Sequence, residues 1–294
     1  MICLLAGSLI QLNSTMAQTT TAYKQEIDNW YKERVASLVA PNGWVNLEGL
    51  FWLSPGKNSF GSDEENDLVY HNPAFPKQAG YFVWENGTVT WTGNNGIKVS
   101  ILDSAITSAQ IFDESKKAPL LALGSFRWNI IKRDDRIGVR FRNLESSALK
   151  KFKGIERFDV QEQWRVTAHL EPASQAALLI TNVLGQTNAE ATPGKLVFTI
   201  GNETYRLDPI TEGDQLFILF GDATSGKLTY PAGRFLYADK PDANGNTIVD
   251  FNKAYNPPCA FSNYATCPLP PRQNILPIAV TAGEKDYHSE AGKH

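Results

Sequence analysis

Histidine and cysteine are scarce in this 294-residue chain, four and three in number. The four histidines, His71, His169, His288 and His294, form neither an HxH nor an HExxH pair, so no structural or catalytic metal is expected. No serine sits in a GxSxG elbow, and neither a GxxxxGK[ST] loop nor a strand–GxGxxG–helix unit occurs. Those absences remove the nucleophile-elbow, P-loop and dinucleotide-binding readings, and no cofactor is expected. Basic runs are short as well: Lys132-Arg133 and Lys150-Lys151 are interleaved with acids, and the net charge is −3. This balance argues against nucleic acid or an anionic membrane as a main partner. No apolar run after the first residues approaches the roughly 18–20 needed for a transmembrane helix.

What is present fits an ordinary globular chain, 42% apolar and 20% charged, long enough for two domains. The apolar run Ile2–Ile10, followed by the small-residue site Thr15-Met16-Ala17, resembles a secretory signal peptide over residues 1–17, although no Lys or Arg precedes it. It predicts export to a periplasmic or extracellular space. Cys259 and Cys267 then remain as the mature cysteines. In an oxidising compartment they are expected to form a disulfide worth roughly 2.5 kcal/mol by loop closure; in a reducing one they would be buried thiols. A nucleophilic Cys259 would need a base or a field that lowers its pKa, and no histidine lies near it in sequence.

Residues 23–38 place Tyr23, Ile27, Trp30, Tyr31, Val35 and Leu38 at three- and four-residue spacing with charge on the other face, predicting one amphipathic helix. From Trp44 the period changes to two, with turn residues every eight to twelve positions. Asn86-Gly87 and Asp134-Asp135 read as hairpin turns, because the positions they occupy demand or tolerate positive φ. A Ser-, Ala- and Lys-rich break at 143–154 separates this β-unit, at 40–147, from a second at 155–287. A polar tail, 288–294, follows. The fold class expected is all-β and mainly antiparallel.

The most unusual stretch is Tyr255–Glu284, which holds six of the sixteen prolines and only one charge, Arg272, between Tyr255 and Gly283. Proline lacks the backbone donor and fixes φ, so this is neither helix nor central strand. It is expected to be an ordered irregular loop followed by a strand at Leu276–Val280. Polar groups in and around it must find partners or leave a cost of about 1–3 kcal/mol each. Two readings stay open. In one, Arg234, Asn252, Tyr255, Asn256, Tyr264 and Arg272 bind a small polar or anionic ligand, with Arg234 as anion anchor and Asp250 or Glu284 as acid or base. In the other, the same groups tie the loop to the β core as a clasp.

The stretches 43–70, 222–261 and 264–284 together resemble an uncharacterised bacterial and archaeal family, domain of unknown function 1684, which implies a family but no activity. Phe60-Gly61-Ser62, Asn66–Tyr70 and the Asn86-Gly87 hairpin are similar to the core of forkhead-associated (FHA) domains, which implies a β-sandwich in the first unit. The phosphothreonine-binding pattern is missing: Ser62 stands where the arginine would be, and residues 76–80 offer no Ser-x-x-His. The function expected is therefore small-ligand binding or hydrolase-like processing at the 222–284 block of an exported protein. The alternative is a non-catalytic structural or interaction module of the cell envelope.

Overall fold

Alternating apolar and polar residues punctuated by turns give twenty short strands in the computed structural model, which describes residues 6–173 and 177–287, with side chains from residue 21 on. His288 and His294 lie outside the described residues, as do residues 1–5 of the expected signal peptide; residues 6–17 fall in the helix Ala6–Val39. Among the described residues no helix is long and apolar enough to cross a membrane, and no group of three or more metal-ligand side chains forms. The chain makes two compact units. One comprises Leu38–Phe152 with Ser262–Ala265; the other comprises the helix up to Ser37, Lys153–Phe261 and the chain from Thr266 on.

In the first unit, Gly43 closes the turn after the helix, its N–H donating to the Ala40 carbonyl at 2.7 Å. A Cβ there would lie 2.2 Å from the Leu38 carbonyl oxygen, so only glycine fits. Two sheets follow. The five-stranded sheet runs in the order Leu68–Val69, Gly56–Gly61, Gly80–Glu85, Thr88–Gly93 and Ser108–Phe112. The six-stranded sheet runs Leu47–Trp52, Arg136–Asn143, Phe126–Arg133, Leu121–Leu123, Val99–Ile101 and Ser104–Ile106. Every pairing is antiparallel except that of Gly56–Gly61 with Leu68–Val69. Both predicted hairpins are present, with Asn86, Gly87 and Asp134 at positive φ. The inner faces meet in an aromatic core in which Phe60, Phe82 and Trp91 from one sheet pack with Phe126, Trp128 and Phe141 from the other. This is a β-sandwich.

The second unit pairs Glu203–Leu207, Gly194–Ile200, Arg165–Pro172 and Asn246–Asp250 in one sheet, and Ile210–Glu212, Gln215–Phe220 and Arg234–Asp239 in another. Their shared core, with Phe198, Phe220 and Phe251 at its centre, also takes Leu276, Val280 and Ala282 from the proline-rich segment. A hairpin of Ala177–Thr181 and Thr187–Ala191 completes the unit. The predicted strand at Leu276–Val280 does not form. Pro277 withholds a donor from its middle, and only an isolated bridge, Gly221 to Ile275, marks the place. The segment is instead laid on the core by single bridges and three-residue turns at Pro258–Ala260 and Arg272–Asn274.

Candidate functional site

Where the strand fails, its carbonyls go to a guanidinium. Arg234 opens the strand Arg234–Asp239 and is fully buried, at 0% exposure. Its Nη2 donates to Asp222 Oδ2 at 2.9 Å and to the Val280 carbonyl at 3.0 Å, and its Nη1 to the carbonyls of Ala282 and Glu284 at 2.5 and 3.2 Å. Asp222 Oδ1 in turn accepts from the Thr224 amide, the Thr224 hydroxyl and the Val280 amide. Burial pulls the Arg234 pKa down, opposed by Asp222. With both Nη groups bonded to protein and its Nε buried without a partner, Arg234 holds the loop from inside the core and faces no open site.

Glu284 forms a second tie. Its carboxylate accepts from Arg34 Nε at 3.1 Å and from the Asn256 amide at 2.6 Å, and Arg34 Nη2 also donates to the Asn256 carbonyl at 2.8 Å. Asn256 Nδ2 reaches the Lys285 carbonyl at 2.7 Å, while Asn274 bridges Asp208 and Leu219. Burial pushes the Glu284 carboxyl above its ordinary 4.5, outweighing Arg34 and the Asn256 amide. A folded pKa above the unfolded one stabilises most at low pH, and that contribution is lost as pH rises through the folded value. Replacing Glu284 with Gln should flatten this part of the pH dependence of the urea midpoint. It should also cost about 1–3 kcal/mol, because an amide cannot accept from both Arg34 and Asn256. An unchanged pH slope would exclude the assignment.

Cys259 and Cys267 are free thiols, which corrects the disulfide expectation. The Cys259 amide donates to Cys267 Sγ at 3.1 Å, so the two residues meet through a backbone hydrogen bond and thiol contact, without a covalent link. Hydrogen bonding to Cys267 and then to Tyr230 lowers the Cys259 pKa against the effect of burial.

A third cluster faces a cavity. Tyr23, on the helix, donates to both oxygens of Asp250 at 2.8 and 2.9 Å, and Asn252 gives Asp250 Oδ1 its amide and its Nδ2, each at 3.1 Å. Burial and Asp250 both push the Tyr23 phenol up, so it stays a donor. Beside Asp250 opens a cavity of ≈ 320 Å³ walled by Trp30, Tyr237 and Tyr255 and edged by Glu26, Arg165, Gln215, Asp239 and Lys253. Tyr237 and Tyr255 stack at 6.4 Å with 12° between planes, and Trp30 tilts against Tyr255 at 6.5 Å. Most of the polar rim is paired: Lys253 with Glu26 at 2.6 Å, Gln215 with Asp239 at 3.2 Å, Tyr237 with Glu212 at 2.8 Å. Arg165 is different. Its guanidinium lies 5.6 Å from the Tyr23 ring centre, and no carboxylate among the described residues is within ion-pair distance of it. A neighbouring cavity of ≈ 390 Å³ shares Glu26 and Arg165.

Of the residues predicted from sequence, Asp250 and Tyr255 line this cavity and Asn252 supports it. Arg234, Asn256 and Glu284 are buried in the ties described above, Arg272 is exposed, and Tyr264 belongs with the first unit at 43% exposure. Sequence reasoning missed Arg165, Lys253 and Trp30 as cavity residues.

The family model described as "Protein of unknown function (DUF1684)" matches residues 150–285. The solution NMR structure of an uncharacterized protein from Haloarcula marismortui is 30% identical, covering 46% of this chain and 78% of that one, with a TM-score of 0.39. An FHA domain from a study of phosphothreonine-dependent interactions is 12% identical over 32% of this chain and 92% of its own, with a TM-score of 0.23. The FhaA FHA domain, complexed with the intracellular domain of Rv3910, gives 12%, 32%, 97% and 0.23 in the same order. Comparison with curated proteins found no match.

Proposed function

We propose from the cavity geometry that the second unit binds a small anionic ligand; the family model that matches residues 150–285, described as protein of unknown function (DUF1684), carries no chemistry. The observation that carries this reading is Arg165, a rim guanidinium with no carboxylate partner beside three aromatic walls. A volume of ≈ 320 Å³ lies in the range of small-molecule sites, and its three aromatic rings stand within a polar rim that holds Glu26, Asp239 and Asp250 beside Arg165 and Lys253. Guanidinium binds carboxylate and phosphate through two parallel donors, so Arg165 takes the role first expected of Arg234. Binding is better supported than hydrolysis. Asp250 already accepts from Tyr23 and Asn252, which holds it as an oriented carboxylate and opposes its use as a base. The apolar segment Ile2–Ile10 and the site at Ala17 support the reading that this activity belongs to an exported protein.

The test is thermal shift with a panel of small carboxylates and phosphate monoesters, repeated on Arg165→Ala. A ligand at a hundred times its Kd adds about 2.7 kcal/mol of apparent stability to the native protein. That gain should vanish in the variant while the ligand-free transition stays put, since Arg165 is exposed. A panel with no hit, or a hit that Arg165→Ala retains, would refute the site.

The structural-module alternative draws on a separate observation, the fully buried Arg234–Asp222 pair that fixes the loop. In that reading the loop is a clasp and nothing small binds. The same panel separates the two.

A further inference from the structure

The charges around the cavity beside Asp250 do not suit an anion alone. Arg165 stands directly across from Asp250 in the strand register, beyond ion-pair distance, and Lys253 is paired with Glu26 at 2.6 Å. Those four charges cancel. Asp239 is left over. Its carboxylate accepts from Gln215 Nε2 at 3.2 Å, and no lysine or arginine among the described residues is within ion-pair distance of it. An anion that docks on Arg165 therefore enters a rim already in negative excess, and like charges at such separations repel.

The excess lies beside the aromatic walls. Alternation along Arg234–Asp239 turns Tyr237 and Asp239 to the same exposed side of the strand. Trp30 and Glu26, one helical turn apart, face the same cavity. The Tyr237 phenol donates to Glu212 at 2.8 Å, and a phenol bonded to a carboxylate has a more negative ring face. The Arg34 guanidinium lies 4.6 Å from the Tyr255 ring centre, so one ring of the set already holds a cation in the free protein. Aromatic rings with a carboxylate beside them are a general receptor for alkylated ammonium groups, which the ring quadrupole attracts without hydrogen bonds.

Resting on Arg165 as the anion site, we propose that the ligand is a small anion that also carries a quaternary ammonium group. Its phosphate or carboxylate meets Arg165, and its trimethylammonium sits among Trp30, Tyr237 and Tyr255 beside Asp239. A plain cation would find Arg165 repelling it, and a plain anion would leave Asp239 uncompensated. A primary ammonium brings three donors that need acceptors. The nearby carboxylates are occupied, Asp250 by Tyr23 and Asn252 and Glu26 by Lys253, whereas a quaternary ammonium asks for none.

The test is calorimetric titration of the full chain with phosphocholine and with neohexyl phosphate, the same shape with carbon in place of nitrogen. Phosphocholine should bind about tenfold tighter. Arg165→Ala should abolish binding of both. Trp30→Leu keeps an apolar wall and removes the indole face, while Asp239→Asn keeps an acceptor for Gln215 and removes the charge. Each should cut the preference to about threefold or less, with neohexyl phosphate bound at least as tightly as by the parent. The ligand-free melting temperature confirms that each variant is folded. Phosphatidylcholine vesicles separate two sources of the same chemistry. Sedimentation with them, lost in Arg165→Ala, assigns a lipid headgroup, and phosphocholine binding without sedimentation assigns a free solute. If the two phosphates bind equally and both need Arg165, the anion site stands and the ammonium site falls. If neither binds, both fall. A preference that survives both Trp30→Leu and Asp239→Asn also overturns the proposal, because the cation then sits elsewhere.

Discussion

Replacing Arg234 with Met should cost about 3–5 kcal/mol, a large part of the stability of an ordinary domain. The loss comes mostly from what stays behind. Asp222 would be a buried carboxylate without its cation, and the carbonyls of Val280, Ala282 and Glu284 would lose their donors. Removing both charges should do less harm than removing one, because a buried ion pair repays its desolvation only while complete. Arg234→Met with Asp222→Leu is therefore expected to recover part of the loss. Urea denaturation gives the magnitude, and hydrogen exchange should place the first loss of protection in 255–284. A cost under about 1 kcal/mol would mean that the pair does not hold the loop.

The second large effect belongs to the first unit. Phe141→Ala should also cost about 3–5 kcal/mol, through lost burial and the cavity left behind. Phe141 is the hub of the sandwich: its ring lies within 4.6–6.3 Å of Tyr70, Phe75, Phe60, Phe126, Trp128 and Phe51. Six aromatic neighbours cannot collapse onto a methyl group without leaving their own rotamers, so the site stays open. Exchange protection should fall across Leu47–Trp52 and Phe126–Arg133 and leave Thr266–Glu284 as it was. A cost near 1 kcal/mol would show a core able to close over the gap.

The strands were legible where local chemistry agrees with the fold. Asn86-Gly87 and Asp134-Asp135 stand at turns because their conformations need or tolerate positive φ, whatever lies around them. The helix was legible from its stripe, of which Tyr23, Ile27 and Leu38 are buried. The failures have physical causes. The alternation of Leu228, Thr229 and Tyr230 suggests a short strand, yet the Lys227, Leu228 and Thr229 amides bond back to the Thr224 carbonyl in a turn. The hairpin of Ala177–Thr181 and Thr187–Ala191 was passed over because Asn, Ala and Glu in its second strand have little β preference. For the site, polarity within an apolar loop was a true signal of hydrogen-bonded groups but could not say where each pointed. Arg234 and Arg165 are both arginines at the ends of strands, and only packing distinguishes the one that meets three carbonyls from the one at a cavity rim. Arg34 is 250 residues from Glu284, a separation no local pattern encodes.

That separation governs the order in which the protein can be built during synthesis. The helix bearing Tyr23 and Arg34 emerges first, but its partners Asp250 and Glu284 come last, after the whole of Leu38–Phe152. The sandwich can assemble while the helix waits with its aromatic stripe uncovered. Closing so long a loop adds only slowly to the entropy cost, by about 0.6 kcal/mol per doubling of length, so the finished protein bears the arrangement cheaply. The nascent chain bears it as time: a helix exposed until the ribosome has passed residue 284, and so a natural substrate for whatever binds emerging apolar segments.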